Sequence, residues 1–380
     1  MAWHNRWKSA VFVGLIVLVT MAWPAQFAGA AGHNDEAAAL ENFLRQAAKE
    51  KAEPTVVFAA RQKLAQLYAD MGDGRKAEAT WKDTVKLFAK LNLEKDGGLP
   101  ASVTAEAAFR LLEPKAKSFM ATPIQPLFGA PAPEKQLANL MKQLQQQLVV
   151  VRGSPDLDPE GIGQAPNTGL FHDYVATVDL YNALEWTYAS ALMRTRLLGH
   201  IAASAADLVI PDGLPGQKSE FVKNLVRLVV SHTESLALHE AEAAWTDAER
   251  RNQVGPWTAE LKRELNRYRP DQYPLSRMRA VQWVEPAPAA DVREQFEKSV
   301  KLEDVRACFD RWLVAHGDSM LGETVLQLTV DDKGFWTEVK AQGQGDSLEQ
   351  CVRKKWKDLH DLPHGAAPVT YQLKLQFAAL

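Results

Sequence analysis

Val305-Arg306-Ala307-Cys308-Phe309-Asp310-Arg311-Trp312-Leu313, then Glu323-Thr324-Val325-Leu326-Gln327-Leu328-Thr329-Val330 and Asp331-Asp332-Lys333-Gly334, decide how this 380-residue chain ends. The first segment reads as a helix. The second alternates apolar and polar residues like a half-buried strand, and the third reads as a hairpin turn. A second strand follows at 335–341. Next comes a helix, Ser347-Leu348-Glu349-Gln350-Cys351-Val352-Arg353-Lys354-Lys355-Trp356, and then an alternating strand, Thr370-Tyr371-Gln372-Leu373-Lys374-Leu375-Gln376-Phe377. The expected product is a small α+β domain with a three-stranded sheet. The chain has two cysteines, Cys308 and Cys351, one on each helix. A bridge fastening the two helices is expected, with two unpaired buried thiols as the alternative.

The N-terminus reads as an export leader. Arg6 and Lys8 precede an uncharged, mostly apolar run at 10–23, and Ala28-Gly29-Ala30 is a small-x-small cleavage site. A bilayer-spanning helix needs about 20 apolar residues, more than this run offers; an uncleaved anchor is the competing reading. No cysteine stands near the cleavage site, so no lipoprotein attachment is expected. The mature chain should begin near Ala31 in the periplasm, where a disulfide persists. Losing the leader removes Arg6, Lys8 and no acids, so the net charge of −3 becomes −5. Nucleic-acid binders carry a basic excess, and this chain does not.

Residues 35–278 are rich in Ala, Leu, Glu, Lys, Gln and Arg, a helical composition. The clearest unit is 59–81, where Leu64, Ala65, Tyr68, Gly72, Ala77 and Trp81 fall where a tetratricopeptide repeat requires them. Ala65 and Ala77 are small where two helices cross closely, Tyr68 and Trp81 fill the space beside the crossing, and Gly72 ends the first helix in a left-handed turn. Such a pair cannot bury its faces alone. Helices at 37–44 and 104–113 supply neighbours, after which the period of about 34 residues fades. The stretches 121–133 and 152–169 read as loops from their prolines and glycines. One long helix is expected at 174–200, apolar around most of its circumference, followed by helices near 218–248 and 257–268. The segment 281–296 contains Trp283-Val284-Glu285-Pro286-Ala287-Pro288 and reads as a linker between a domain at 31–280 and a tail at 297–380.

The tail resembles the C-terminal domain of myxobacterial envelope and gliding proteins (the AgmX/PglI type), itself similar in layout to the TonB C-terminal domain. The matching features are Cys308 before the hairpin, Asp331 and Gly334 in the turn, Cys351 before Lys355-Trp356, Leu362-Pro363, and a strand closing on Phe377. The body resembles the periplasmic tetratricopeptide-repeat protein of the adventurous gliding machinery at 105–113, 185–194, 210–214 and 273–275. These resemblances cover roughly 35–278 and 300–380. They imply a mainly α array followed by an α+β tail, acting as a non-enzymatic scaffold that binds envelope or motility-complex proteins, with no cofactor and only indirect membrane contact. In a TonB-like layout the last strand, carrying Tyr371, Leu373, Leu375 and Phe377, pairs with a strand of a partner.

No catalytic constellation emerges. His239-Glu240 opens like a zinc-protease helix, but Ala243 stands where the second histidine belongs. His232 and His239 share a helix face and read as surface residues, as do His360 and His364 beside Leu362-Pro363. Lys354, Lys355 and Lys357 around Trp356 offer an anion-attracting face, against the simpler reading of a solvated one. No small-molecule substrate is expected. The alternatives are an assembly or secretion adaptor outside motility, and an exported hydrolase whose site is built from distant residues.

Overall fold

The computed structural model describes residues 30–93, 97–125, 132–154, 164, 166–181, 183–284, 287–316, 323–342, 346–360 and 362–379. The leader and most of the 152–169 loop therefore lie outside the described residues. Two compact units emerge, one comprising 30–115 with 177–186, the other 116–176 with the chain from 187 onward.

In the first unit, α1 (Ala30–Glu50), α2 (Pro54–Asp70), α3 (Gly74–Leu91) and the start of α4 (Gly98–Met120) form the core. Proline at the first turn of α2 has no N–H to leave unpaired there. Between α2 and α3, Gly72 takes φ +76°, and the N–H groups of Met71, Gly72 and Asp73 bond back to Leu67, Ala69 and Tyr68 carbonyls at 3.0, 3.0 and 2.8 Å. Asp73 then caps α3, its Oδ1 accepting from the Lys76 N–H at 3.1 Å. A Cβ on Gly72 would meet nothing within 4 Å. Gly72→Ala is thus a purely conformational change, and it should cost about 1 kcal/mol in urea unfolding.

Leu64, Ala65, Tyr68, Ala77 and Trp81 are all buried. They divide between two clusters. Leu64, Tyr68 and Ala77 pack with Ala37 of α1, whereas Ala65 and Trp81 pack with Ala107 of α4. Each helix of the α2–α3 pair thus meets a neighbour on either side, as helices with two small-residue faces must. Tyr68 also donates its hydroxyl to Glu41. Burial and that carboxylate push its pKa up to about 12. Farther along, Phe58 and Phe88 meet edge to face with centroids 6.0 Å apart, and Ala101 and Val103 close that cluster.

The second unit contains α5 (Pro133–Arg152), most of α6 (Gly169–Tyr181) and α7 (Leu184–Ala206), then α8 (Gly216–Arg250) and α9 (Pro256–Tyr268). In place of the one long helix expected at 174–200, two are described, one ending at Tyr181 and the next beginning at Leu184. Tyr188, Ala191, Leu192, Leu197, Leu198 and Ile201 of α7 are buried, matching the all-round apolar pattern. Two arginines tie α7 to its neighbours: Arg194 to Glu240 of α8 at 2.8 Å, and Arg196 to Glu260 and Glu264 of α9 at 2.6 and 2.9 Å.

The loop after α5 is cinched at its base. Thr168 donates its hydroxyl to the Arg152 carbonyl at 2.5 Å, and Gly169 (φ +74°) comes so near that an added Cβ would lie 2.6 Å from the Val151 carbonyl. Only glycine tolerates both that torsion and that approach.

The chain finishes with β1 (Ser276–Trp283), α10 (Ala290–Ser299), α11 (Leu302–His316), β2 (Glu323–Val330), β3 (Trp336–Gln342), α12 (Asp346–Lys355) and β4 (Val369–Ala379). Among the described residues the sheet has four antiparallel strands in the order β1-β4-β2-β3, not the three expected. The extra strand, β1, occupies residues read as the end of the helical body and the start of the linker. Its partner lies about a hundred positions away (Ser276 opposite Ala379), and its pairing skips Arg279, so no local alternation announces it. Between β1 and α10 only 284–289 connect.

Alternation places Leu326, Leu328, Val339, Leu373, Leu375 and Phe377 against α10, α11 and α12, where Phe296, Phe309, Trp312, Leu348, Val352 and Trp356 complete the core. Phe309 stacks on Phe377 with centroids 4.0 Å apart. Each such side chain, fully buried, contributes about 1.5–3 kcal/mol. The opposite face carries Gln327, Thr329, Gln372, Lys374 and Gln376, a solvated surface. Cys308 and Cys351 are joined, with Cα atoms 5.7 Å apart, so α11 and α12 are fastened beneath the sheet.

Candidate functional site

The last strand is not a free edge. β4 lies between β1 and β2 and exchanges hydrogen bonds with both, and Tyr371, Leu373, Leu375 and Phe377 point into the core. A partner strand therefore has no place beside it, and the expected partner-pairing role of these four residues is overturned. The cause is β1, which takes the position a partner would have occupied.

The two real edges are β1 and β3. On β3, the outward Ala341 N–H donates to Glu349 Oε1 at 2.9 Å, and the outward Val339 carbonyl accepts from Arg353 Nη2 at 3.0 Å. Glu349 and Arg353 stand two residues either side of Cys351, so the bridged helix reaches round and satisfies the edge. Nearby, Trp336 donates its indole N–H to the Trp356 carbonyl at 2.6 Å.

A second polar construction lies where α9, β1 and α11 meet. Asp310 is fully buried and accepts from Asn266 Nδ2 at 3.4 Å, the Leu275 N–H at 3.0 Å, Arg306 Nη1 at 2.8 Å and the Ser276 hydroxyl and backbone N–H. Burial holds its carboxyl above the usual range, although all of these donors favour the anion. Each oxygen is engaged in holding backbone or a neighbouring side chain. The arrangement is a structural knot, with no room on Asp310 for a substrate.

Between α5 and the start of α8 runs a groove of about 320 Å³, lined by Leu137, Met141, Val222, Leu225 and Phe221, the last 69% exposed. Among the described residues, Lys218 is the one titratable side chain lining it. Such a surface suits apolar side chains; it holds no acid–base pair.

The remaining sequence candidates scatter. His232 is half-buried and His239 exposed on α8. His364 Nδ1 lies 3.0 Å from the Leu362 carbonyl, and His360 meets Phe335 edge to face at 6.5 Å. Among the described residues, no three His, Cys, Asp or Glu side chains converge as metal ligands. Lys355 lies 3.8 Å from Asp304 and Lys357 3.8 Å from Asp358, so the basic cluster is partly neutralised. His200, not singled out in the sequence, packs against Phe119 at 5.0 Å, and burial lowers its pKa. Sequence reading also missed Glu106, buried on α4 and bonded by Gln62 and Gln66 at 2.5 and 3.3 Å. A lone Glu among alanines gives no periodic signal.

The architecture defines a mainly helical chain closed by a small α+β tail with one disulfide. No protein-family model matches the chain, and neither does any curated protein or solved structure.

Proposed function

We propose that this chain is an exported, non-enzymatic adaptor of the cell envelope, binding other envelope proteins and serving a gliding-motility complex. The observation that carries the reading is the Cys308–Cys351 bridge. Structural disulfides persist in oxidising compartments, and the leader-like start of the sequence points to the same place. The helical half supports the binding role. The small residues at the α2–α3 crossing and the glycine turn support reading that pair as a tetratricopeptide unit, with α1 and α4 as its degenerate neighbours. Repeats of this kind expose extended surfaces for other proteins. No cofactor enters this account.

Cross-linking in the native cell, followed by purification of the chain from the envelope fraction, tests the reading. Recovery of motility-machinery or membrane-assembly proteins is the expected result. Recovery of the chain alone would contradict it.

A further inference from the structure

We infer that the outer edge of β3 is a latent pairing surface for a second copy of this chain, held closed in the monomer by Glu349 and Arg353. An edge strand offers unpaired N–H and C=O groups that recruit another strand unless they are blocked. The two edges of this sheet are blocked in different ways. β1 is irregular at Arg279, where its pairing shifts by a residue, and it carries arginines at 277 and 279. β3 is regular from Glu338 to Gln342 in its pairing with β2, and so keeps the geometry that a further strand needs. Its protection comes instead from two side chains: Glu349 takes the Ala341 N–H, and Arg353 takes the Val339 carbonyl. Each occupies the position of one ladder hydrogen bond. The bridge at Cys351 fixes the short helix that presents them.

The sequence of β3 names the occupant. Val339 and Ala341 direct backbone groups outward, so an antiparallel copy can centre on Val339 facing Val339. That register sets Glu338 opposite Lys340 of the other copy and Lys340 opposite its Glu338. Two opposite-charge cross-strand pairs result, related by a two-fold axis. Within one chain the same two side chains already pair at 2.8 Å on the exposed face, so both are presented there. Val339 and Ala341 stay in the core on the other face.

The test leaves the disulfide intact. Glu349→Ala/Arg353→Ala should double the mass of the purified chain in sedimentation velocity relative to the parent, with helix content unchanged by circular dichroism. Adding Glu338→Lys should return it to the parent mass, because two pairs of lysines then oppose each other. Adding Lys340→Glu to that variant exchanges the charges, restores both pairs and should restore the doubled mass. The single variants Glu349→Ala and Arg353→Ala, each baring one backbone group, should associate more weakly. A folded double variant that keeps the parent mass at every concentration would overturn the inference. So would a doubled mass indifferent to the charge at 338, which places the contact elsewhere. If the double variant loses helix content, the single variants decide by the same two readings.

Discussion

Cys308→Ser/Cys351→Ser should lose about 4 kcal/mol of tail stability. The bridge closes a loop of 43 residues, and in the chain-entropy model a loop of that size restricts the unfolded chain by about this amount. For a small domain this is a substantial share of a total of about 5–15 kcal/mol. The loop encloses β2 and β3, so unbridging frees the central hairpin and the helix that covers its edge together. Urea unfolding followed by the fluorescence of Trp312, Trp336 and Trp356 would report it. Addition of a dithiol reductant to the parent should move the midpoint to that of the variant, and a midpoint unchanged by either treatment would refute the structural role.

Asp310→Ala should cost about 3–5 kcal/mol, by the general expectation for removing one partner of a buried ion pair. Arg306 keeps Glu303, yet its side chain is only 8% exposed and loses its interior acceptor. The Leu275 N–H and the Ser276 hydroxyl, which hold the first residues of β1, lose theirs as well. Asp310→Asn keeps the volume and one acceptor oxygen, and should cost less. The pH dependence follows from the raised carboxyl pKa. In the interval between the unfolded and folded values, the native chain binds more protons than the unfolded one. Stability contributed by this group therefore falls as pH rises through that interval, and Asp310→Asn should remove the slope. A parent whose stability rises with pH there, with the same slope in the variant, would show that Asp310 does not set it.

What could be read from the sequence follows from the range of each interaction. The tail hairpin was legible because Leu326, Leu328 and Val330 alternate and Asp331 announces the turn, where its carboxylate accepts the N–H groups of Lys333 and Phe335 at 2.9 Å each. The α2–α3 pair was legible because Ala65, Gly72 and Ala77 each meet a local steric demand. β1 was not, since Arg277, Arg279 and Gln282 dilute its pattern and its partner lies at the far end of the tail. That omission also misplaced the last strand, because whether β4 is an edge depends on β1 being beside it. Nothing in the sequence singled out Glu349 and Arg353, whose role needs β3 alongside. Nothing in the sequence marked Asp310, because its donors come from three separate segments.

The account rests on export into an oxidising compartment, and the most direct measurement is intact mass of the chain purified from its native cell, alkylated with and without prior reduction. The prediction is an N-terminus near Ala31, no alkylated cysteine before reduction and two after it. A chain retaining Met1, with both thiols alkylated without reductant, would contradict it.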